Sequence, residues 1–331
     1  MQQAIWRMIR SRSLQPVKSQ YGQGPMHSEN NAASQRTNQI PPRALVLLLV
    51  LTLVWGTNWP LFSLAVKEVS VWTFRSFSCL SAGLLLLAYV RLRGQSIQIE
   101  RRHWPVVVLS CFLYMVIWNI TSTYSAVLLP SGQASVLGFT MPLWAALFGW
   151  LFYREPLRGR MLIALAFGAS GVALLMVPSF RDYADAPLGF VLGLTGGAGW
   201  ALGTIVLKRG SVAVSASVLT GWQLLITALP CSIGAAWFGD WQWFVPSTQS
   251  LIVIAYITVV PILIGNVCWI AIVGLLPTQV AGLSAIAVPM VAMVSGALMH
   301  GEPLGLTQWL AMACTALALG LLLVKRSGAS H

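Results

Sequence analysis

The sequence predicts an all-α polytopic membrane protein, with ten transmembrane helices forming two inverted five-helix repeats. Three observations carry this prediction: composition, an internal repeat at one fixed offset, and the placement of basic residues. Of 331 residues, 57% are hydrophobic and 8% are charged, and the mean hydropathy is +0.75. A soluble domain carries roughly 25% charged residues. A spanning helix needs about 20 mostly apolar residues, and the chain divides into runs of that size.

Residues 1–43 form a polar segment rich in Gln, Ser, Asn and Arg. It lacks the apolar core of a secretory signal and is expected to be a cytoplasmic tail. Met26 is an alternative start to Met1, and an acid-poor transit peptide is the minor reading. Five apolar runs follow, at 44–66, 71–90, 104–126, 131–152 and 160–178. Five more lie at 188–207, 215–238, 249–272, 279–299 and 307–324. The polar stretches Arg91–His103, Ser179–Pro187 and Gly239–Ser250 are too short to hold a soluble catalytic domain. Cys79, Cys111, Cys231, Cys268 and Cys314 have no paired or metal-ligand spacing and read as small core residues.

The stretch LLPSGQASVLGFTMPLWAALFGWLFYREPL, Leu128–Leu157, aligns without a gap on LLPTQVAGLSAIAVPMVAMVSGALMHGEPL, Leu275–Leu304. The offset is 147, and it superposes Pro130 on Pro277, Pro142 on Pro289, Gly149 on Gly296 and Glu155 on Glu302. It also carries Asn119 onto Asn266. Several punctuating residues at one ungapped offset indicate duplication, with halves at 44–178 and 188–324.

An odd number of spans per half makes equivalent loops face opposite sides. Lys and Arg concentrate in cytoplasmic loops. With a cytoplasmic N-terminus, six basic residues lie in the tail, four between spans 2 and 3, three between 4 and 5, two between 6 and 7, and two after span 10. That places 17 of the 20 on one side, with Lys67 and Arg181 opposite and Arg75 inside a span. Glu155 thus keeps Arg154, Arg158 and Arg160 around it, and Glu302, on the other face, has none. Both termini are expected in the cytoplasm.

Inverted repeats are characteristic of secondary transporters, whose site lies near the midplane between halves. The two Glu-Pro-Leu closures follow Pro-interrupted spans, and VWGTNW (Val54–Trp59) and GWALGT (Gly199–Thr204) open the halves. In order and spacing these resemble the EamA family of the drug/metabolite transporter superfamily, over residues 44–324. The resemblance implies a ten-helix carrier of small metabolites, often an exporter of amino acids or related compounds, in the bacterial inner membrane. It names no substrate.

Candidate cavity residues follow from cost and chemistry. Arg75 is the one charge inside a span, where a central Arg costs about 2.5–3.5 kcal/mol on the insertion scale. It either contacts a substrate or snorkels to the interface. Asn119 and Asn266 hold symmetric positions in spans 3 and 8; their amides suit a polar ligand, or an interhelical hydrogen bond. Asn58 and Gln223 join them, with Gln223 placed about where Arg75 sits in the other half. Trp55, Trp118 and Trp200 lie deep enough to stack on a planar or cationic ligand, or to pack as core. Pro142 and Pro289 interrupt spans 4 and 9 as hinge candidates. The glycines of span 6 read as a close-packing face.

All eight acids and four histidines lie in the tail, loops or span ends, so no midplane proton relay is expected. No Walker sequence is present, and no metal or other cofactor is expected. The expected partners are a small-molecule substrate and the lipid bilayer, with no nucleic acid, because the basic residues do not share a soluble face. A channel-like facilitator or an importer stays open as an alternative. A membrane-embedded enzyme is disfavoured, since His300 and Glu302 lack a metal-ligand spacing.

Overall fold

The structure, a computed structural model, describes residues 41–129, 131–156, 159–177, 180–239, 246–276, 281, 287–300 and 304–323. The described residues are mainly helical, with no strand among them. Residues 1–40 of the expected tail, Pro130, Pro277 and Glu302 lie outside them, and the first described helix, Pro42–Gly56, takes in the last two residues of that expected tail.

The first half contains α1 (Pro42–Gly56), α2 (Asn58–Ala65), α3 (Val71–Leu92), α4 (Trp104–Cys111), α5 (Ile117–Leu128), α6 (Ser131–Gly138), α7 (Met141–Tyr153) and α8 (Gly159–Met176). The short α9 (Phe180–Asp185) follows. Then come α10 (Pro187–Gly210), α11 (Ala216–Phe238), α12 (Thr248–Ile257), α13 (Asn266–Leu275), α14 (Ala287–His300) and α15 (Leu306–Leu323). Among the described residues, eight helical stretches are long and apolar enough to cross a membrane, and two shorter apolar helices occupy 287–299 and 306–318.

Helices start where sequence chemistry favours it. Prolines occupy the first turns of α1, α4, α7 and α10, where a missing N–H costs nothing. Ser70, Ser215 and Ser247 cap α3, α11 and α12 by accepting from backbone N–H groups of the first turn, which satisfies a donor the helix leaves unpaired. Ser247 also donates its N–H and its hydroxyl to the Glu68 carboxylate, each at 2.8 Å. This ties the α2–α3 turn to the start of α12. The two bonds hold the exposed Glu68 below its ordinary carboxylate range.

Among the described residues, four expected continuous spans are interrupted. The first breaks at Thr57, whose hydroxyl donates to the Leu53 carbonyl at 2.8 Å, so α1 ends at Gly56 and α2 restarts at Asn58. The fourth breaks at Phe139–Thr140, and Pro142 lies in the first turn of α7 rather than in mid-helix. The eighth passes through a π-helical segment, Thr258–Gly265, that contains Pro261. Proline lacks the N–H that a regular α-helix needs there, and the ladder widens around it. A second π segment, Phe112–Val116, joins α4 to α5. At the offset of 147 it falls within the first.

Between helices in lipid, association depends on close packing rather than on water exclusion. The pairs with the most extensive contact are α3 with α11 and α8 with α15, and α10 lies against α4, α5, α6 and α7. Glycines of α10 permit this approach: a Cβ on Gly197 would meet the Gly138 carbonyl oxygen at 3.0 Å, and one on Gly203 the Tyr114 backbone nitrogen at 2.6 Å.

Candidate functional site

A cavity of about 70 Å³, counted as space open to the centre of a water molecule, lies where α1, α2, α3, α5, α10 and both π segments converge. One water needs roughly 10–15 Å³ on that measure, so the space holds several waters or a small polar molecule. Arg75, Asn58, Asn119, Asn266, Trp55, Trp118 and Trp200 all line it. Gln223 does not: it lies on α11, fully buried, with neither amide atom hydrogen-bonded. Pro142 and Pro289 are also absent from the lining. Both are buried in the first turns of α7 and α14.

The polar groups are held in place from behind. Asn119 donates its amide N–H to the Met115 carbonyl at 2.7 Å, and Asn266 donates to the Ile262 carbonyl at 2.7 Å. Met115 and Ile262 are themselves related by the offset of 147. Each Asn therefore caps a carbonyl of the π segment before it, which fixes the amide plane. The tyrosine hydroxyl of Tyr114 donates to Asn266 Oδ1 at 2.6 Å, linking the two segments. Arg75 is buried, with Nε donating to Thr123 Oγ1 at 3.1 Å. Thr123 passes its own proton to the Asn119 carbonyl at 2.5 Å. These two bonds tie the guanidinium to the Asn119 helix.

Aromatic rings form the remaining wall around Trp200, which is 1% exposed. Its ring lies 4.8 Å from Trp118, 5.0 Å from Trp269 and 5.4 Å from Trp55. These separations fall in the favourable range for offset and edge contacts. Trp55 donates its indole N–H to the Pro261 carbonyl at 3.0 Å, fastening α1 to the second π segment. Asn58 Oδ1 and Trp200 Nε1 are buried with no hydrogen-bond partner; each unsatisfied atom costs about 1–3 kcal/mol, and both belong to the lining. Among the described residues, the lining includes one basic and no acidic side chain.

Sequence reasoning did not single out Tyr114, Met115, Ser122, Ala126, Phe139, Pro261 or Ile262 as cavity residues, and with Trp59 they complete the lining. Two signals were present. Met115, Ser122 and Ala126 lie on the helical stripe of Asn119, at spacings of three, four and seven residues. The repeat offset carries Tyr114 and Met115 onto Pro261 and Ile262.

At the basic end of the helices, consecutive residues of α10 make ties in two directions. Lys208 Nζ donates to the Val273 carbonyl at 2.6 Å and to the Leu276 carbonyl, at the end of α13. Arg209 pairs with Glu155 at 2.5 Å and stacks over the Tyr153 ring, 3.9 Å from its centroid, just past α7. The Glu155 of the first Glu-Pro-Leu thus pairs with a cation on another helix, Arg209 of α10.

The profile of the EamA-like transporter family matches residues 42–177 and again 187–324. The chain belongs to the EamA-like transporter family. It is an integral membrane transporter rather than an enzyme. The uncharacterized transporter YvbV of Bacillus subtilis (strain 168) is 28% identical over 293 residues, covering 87% of this chain and 92% of YvbV. The uncharacterized inner membrane transporter YedA of Escherichia coli (strain K12) is 24% identical, over 83% of this chain and 88% of its own. A protein named "Probable amino-acid metabolite efflux pump" in Salmonella typhimurium (strain LT2) is 26% identical over 78% and 87% of the two chains. A solved crystal structure shares the fold, with a TM-score of 0.69 at 18% identity, over 84% of this transporter and 95% of that chain.

Proposed function

We propose that this EamA-like transporter exports small polar metabolites, amino acids or related compounds, by alternating access through the aromatic and carboxamide cavity. The observation that carries the reading is the convergence of Arg75, Asn58, Asn119 and Asn266 with Trp55, Trp118 and Trp200 on one buried space. Arg75 would take an anionic group of the substrate, the carboxamides its neutral polar groups, and the indole faces a planar or ammonium-bearing part. The relative named as an amino-acid metabolite efflux pump supports that substrate class.

The architecture proposed for this function is ten spans in two inverted repeats, 44–178 and 188–324, preceded by a cytoplasmic tail at 1–43. Matched features support it. The π segments, Asn119 with Asn266, and Met115 with Ile262 all obey one offset. Contacts also recur in pairs, since α10 against α5 and α7 corresponds to α1 against α13 and α14. Pro142 and Pro289, each within the first residues of its described helix, are the proposed hinges. In this reading both termini face the cytoplasm of a bacterial cell, with the transporter in the inner membrane. A cysteine replacing Ser211 in a cysteine-free background should react with an impermeant maleimide in inverted vesicles and not in intact cells. Labelling in intact cells would reverse the orientation.

The ties made by Lys208 and Arg209 hold α10 against α7 and α13 at the basic end, which supports a carrier closed on that side. A carrier and a channel-like facilitator differ in exchange. In proteoliposomes loaded with candidate amino acids, preloaded substrate should accelerate uptake of labelled substrate by counterflow. Arg209→Glu should slow it several-fold, and Glu155→Arg in the same chain should restore it. Flux without trans-acceleration for a transported compound would favour the facilitator.

A further inference from the structure

A second cavity, about 400 Å³, lies away from the first, at the basic end of the helices. Its walls come from the start of α1, the end of α10, the turn into α11 and the end of α13. Leu207, Val212, Val214, Leu219, Ile270 and Leu275 make it predominantly apolar. Among the described residues, its charged lining side chains are Arg43 and Lys208, and none is acidic. We propose that this cavity is a binding site for an acidic phospholipid, its phosphate between Arg43 and Lys208 and an acyl chain along the apolar wall.

Three features point to an anion at the rim. Arg43 is exposed there, free to swing its planar fork toward a phosphate. Lys208 is half-buried and held by the carbonyls of Val273 and Leu276. An ammonium has three N–H donors, so one remains beyond those two bonds, on a charge already fixed at the cavity. Ala216, in the first turn of the 23-residue α11, also lines the space, and a helix N-terminus adds a positive partial charge.

The apolar wall decides between possible occupants. A free phosphate gains nothing from leucine, valine and isoleucine side chains, whereas an acyl chain does. The chain's own residues 1–40 are disfavoured by charge, because Arg7, Arg10, Arg12, Lys18 and Arg36 outweigh Glu29. The position suits a lipid as well, since Arg43 and Leu275 stand at the ends of stretches long and apolar enough to span a bilayer, where headgroups lie. Basic pockets between such helices recognise anionic headgroups on electrostatic grounds. The proposal is independent of what the first cavity carries.

Native mass spectrometry of the full-length protein, stripped of lipid and titrated with phosphatidylglycerol or phosphatidylcholine of identical chains, tests it. Phosphatidylglycerol should be retained roughly tenfold more tightly. Arg43→Gln should remove most of that preference, and because the residue is exposed the variant should fold. Ser211→Asp should do the same by placing a carboxylate at the rim; Ser211 has φ of +46°, a conformation Asp tolerates. Lys208→Gln should act alike, with its thermal stability measured in parallel because it also ties α10 to α13. Equal retention of the two lipids, or an undiminished preference in Arg43→Gln and Ser211→Asp, overturns the proposal. Full displacement of phosphatidylglycerol by millimolar inorganic phosphate would also overturn it, and would assign the site to a soluble phosphate.

Discussion

Gly203→Val should abolish accumulation of folded transporter. A Cβ at this position would lie 2.6 Å from both the backbone nitrogen and Cβ of Tyr114 and 2.7 Å from the Ser110 carbonyl oxygen. Two of those three atoms are backbone, so no rotamer change relieves the clash. The helix α10 must move away from the π segment that carries Tyr114, and the bond from Tyr114 to Asn266 moves with it. Overpacking of a tight interface costs about 1–3 kcal/mol and occasionally more; here a β-branched side chain meets backbone, so the upper end or beyond is expected. Native stability is itself only about 5–15 kcal/mol. The measurement is size-exclusion chromatography of a fluorescent fusion, together with thermal melting of whatever folded protein remains. Gly320→Ala, at a position with open space around it, serves as the control and should behave as the parent. A Gly203→Val protein with parental yield and melting temperature would show that α10 and the π segment do not approach as described.

Arg75→Gln should lower transport by about 10- to 100-fold while leaving a folded, inserted protein. This follows from the proposed role of the guanidinium, because hydrogen bonds to a charged group contribute roughly 1.5–3 kcal/mol. Arg75 is buried, lines the cavity and donates its Nε–H to Thr123, which holds the guanidinium beside the space a ligand would occupy. Arg75→Lys should recover only part of the activity, since an ammonium cannot reproduce a two-pronged contact. Thr123→Val should give an intermediate loss by releasing the guanidinium from the Asn119 helix. Melting temperatures within a few degrees of the parent would separate these effects from misfolding. Near-normal flux in well-expressed Arg75→Gln would remove Arg75 from the substrate site and leave it a structural role on Thr123.

The sequence alone determined the membrane class, the approximate position of each apolar helix, and the repeat that relates Asn119 to Asn266. These rest on composition and on punctuating residues, which report where the chain meets lipid and where its helices end. The same reasoning selected Arg75, Asn58 and the deep tryptophans, because a charge or amide in an apolar run is costly wherever it points. It could not settle direction around each helix axis. Gln223 shows why: it was matched to Arg75 by depth, yet at the offset of 147 its counterpart is Ser76. One residue turns a helix by about 100°, enough to take Gln223 off the cavity and into the buried interior. The break at Thr57, the two π segments and the ties from Lys208 to α13 and from Arg209 to Glu155 were likewise decided only in three dimensions. The Lys208 and Arg209 ties each depend on a side chain meeting a carbonyl or carboxylate on a distant element. Hydropathy is a property of single residues, and these contacts are properties of pairs.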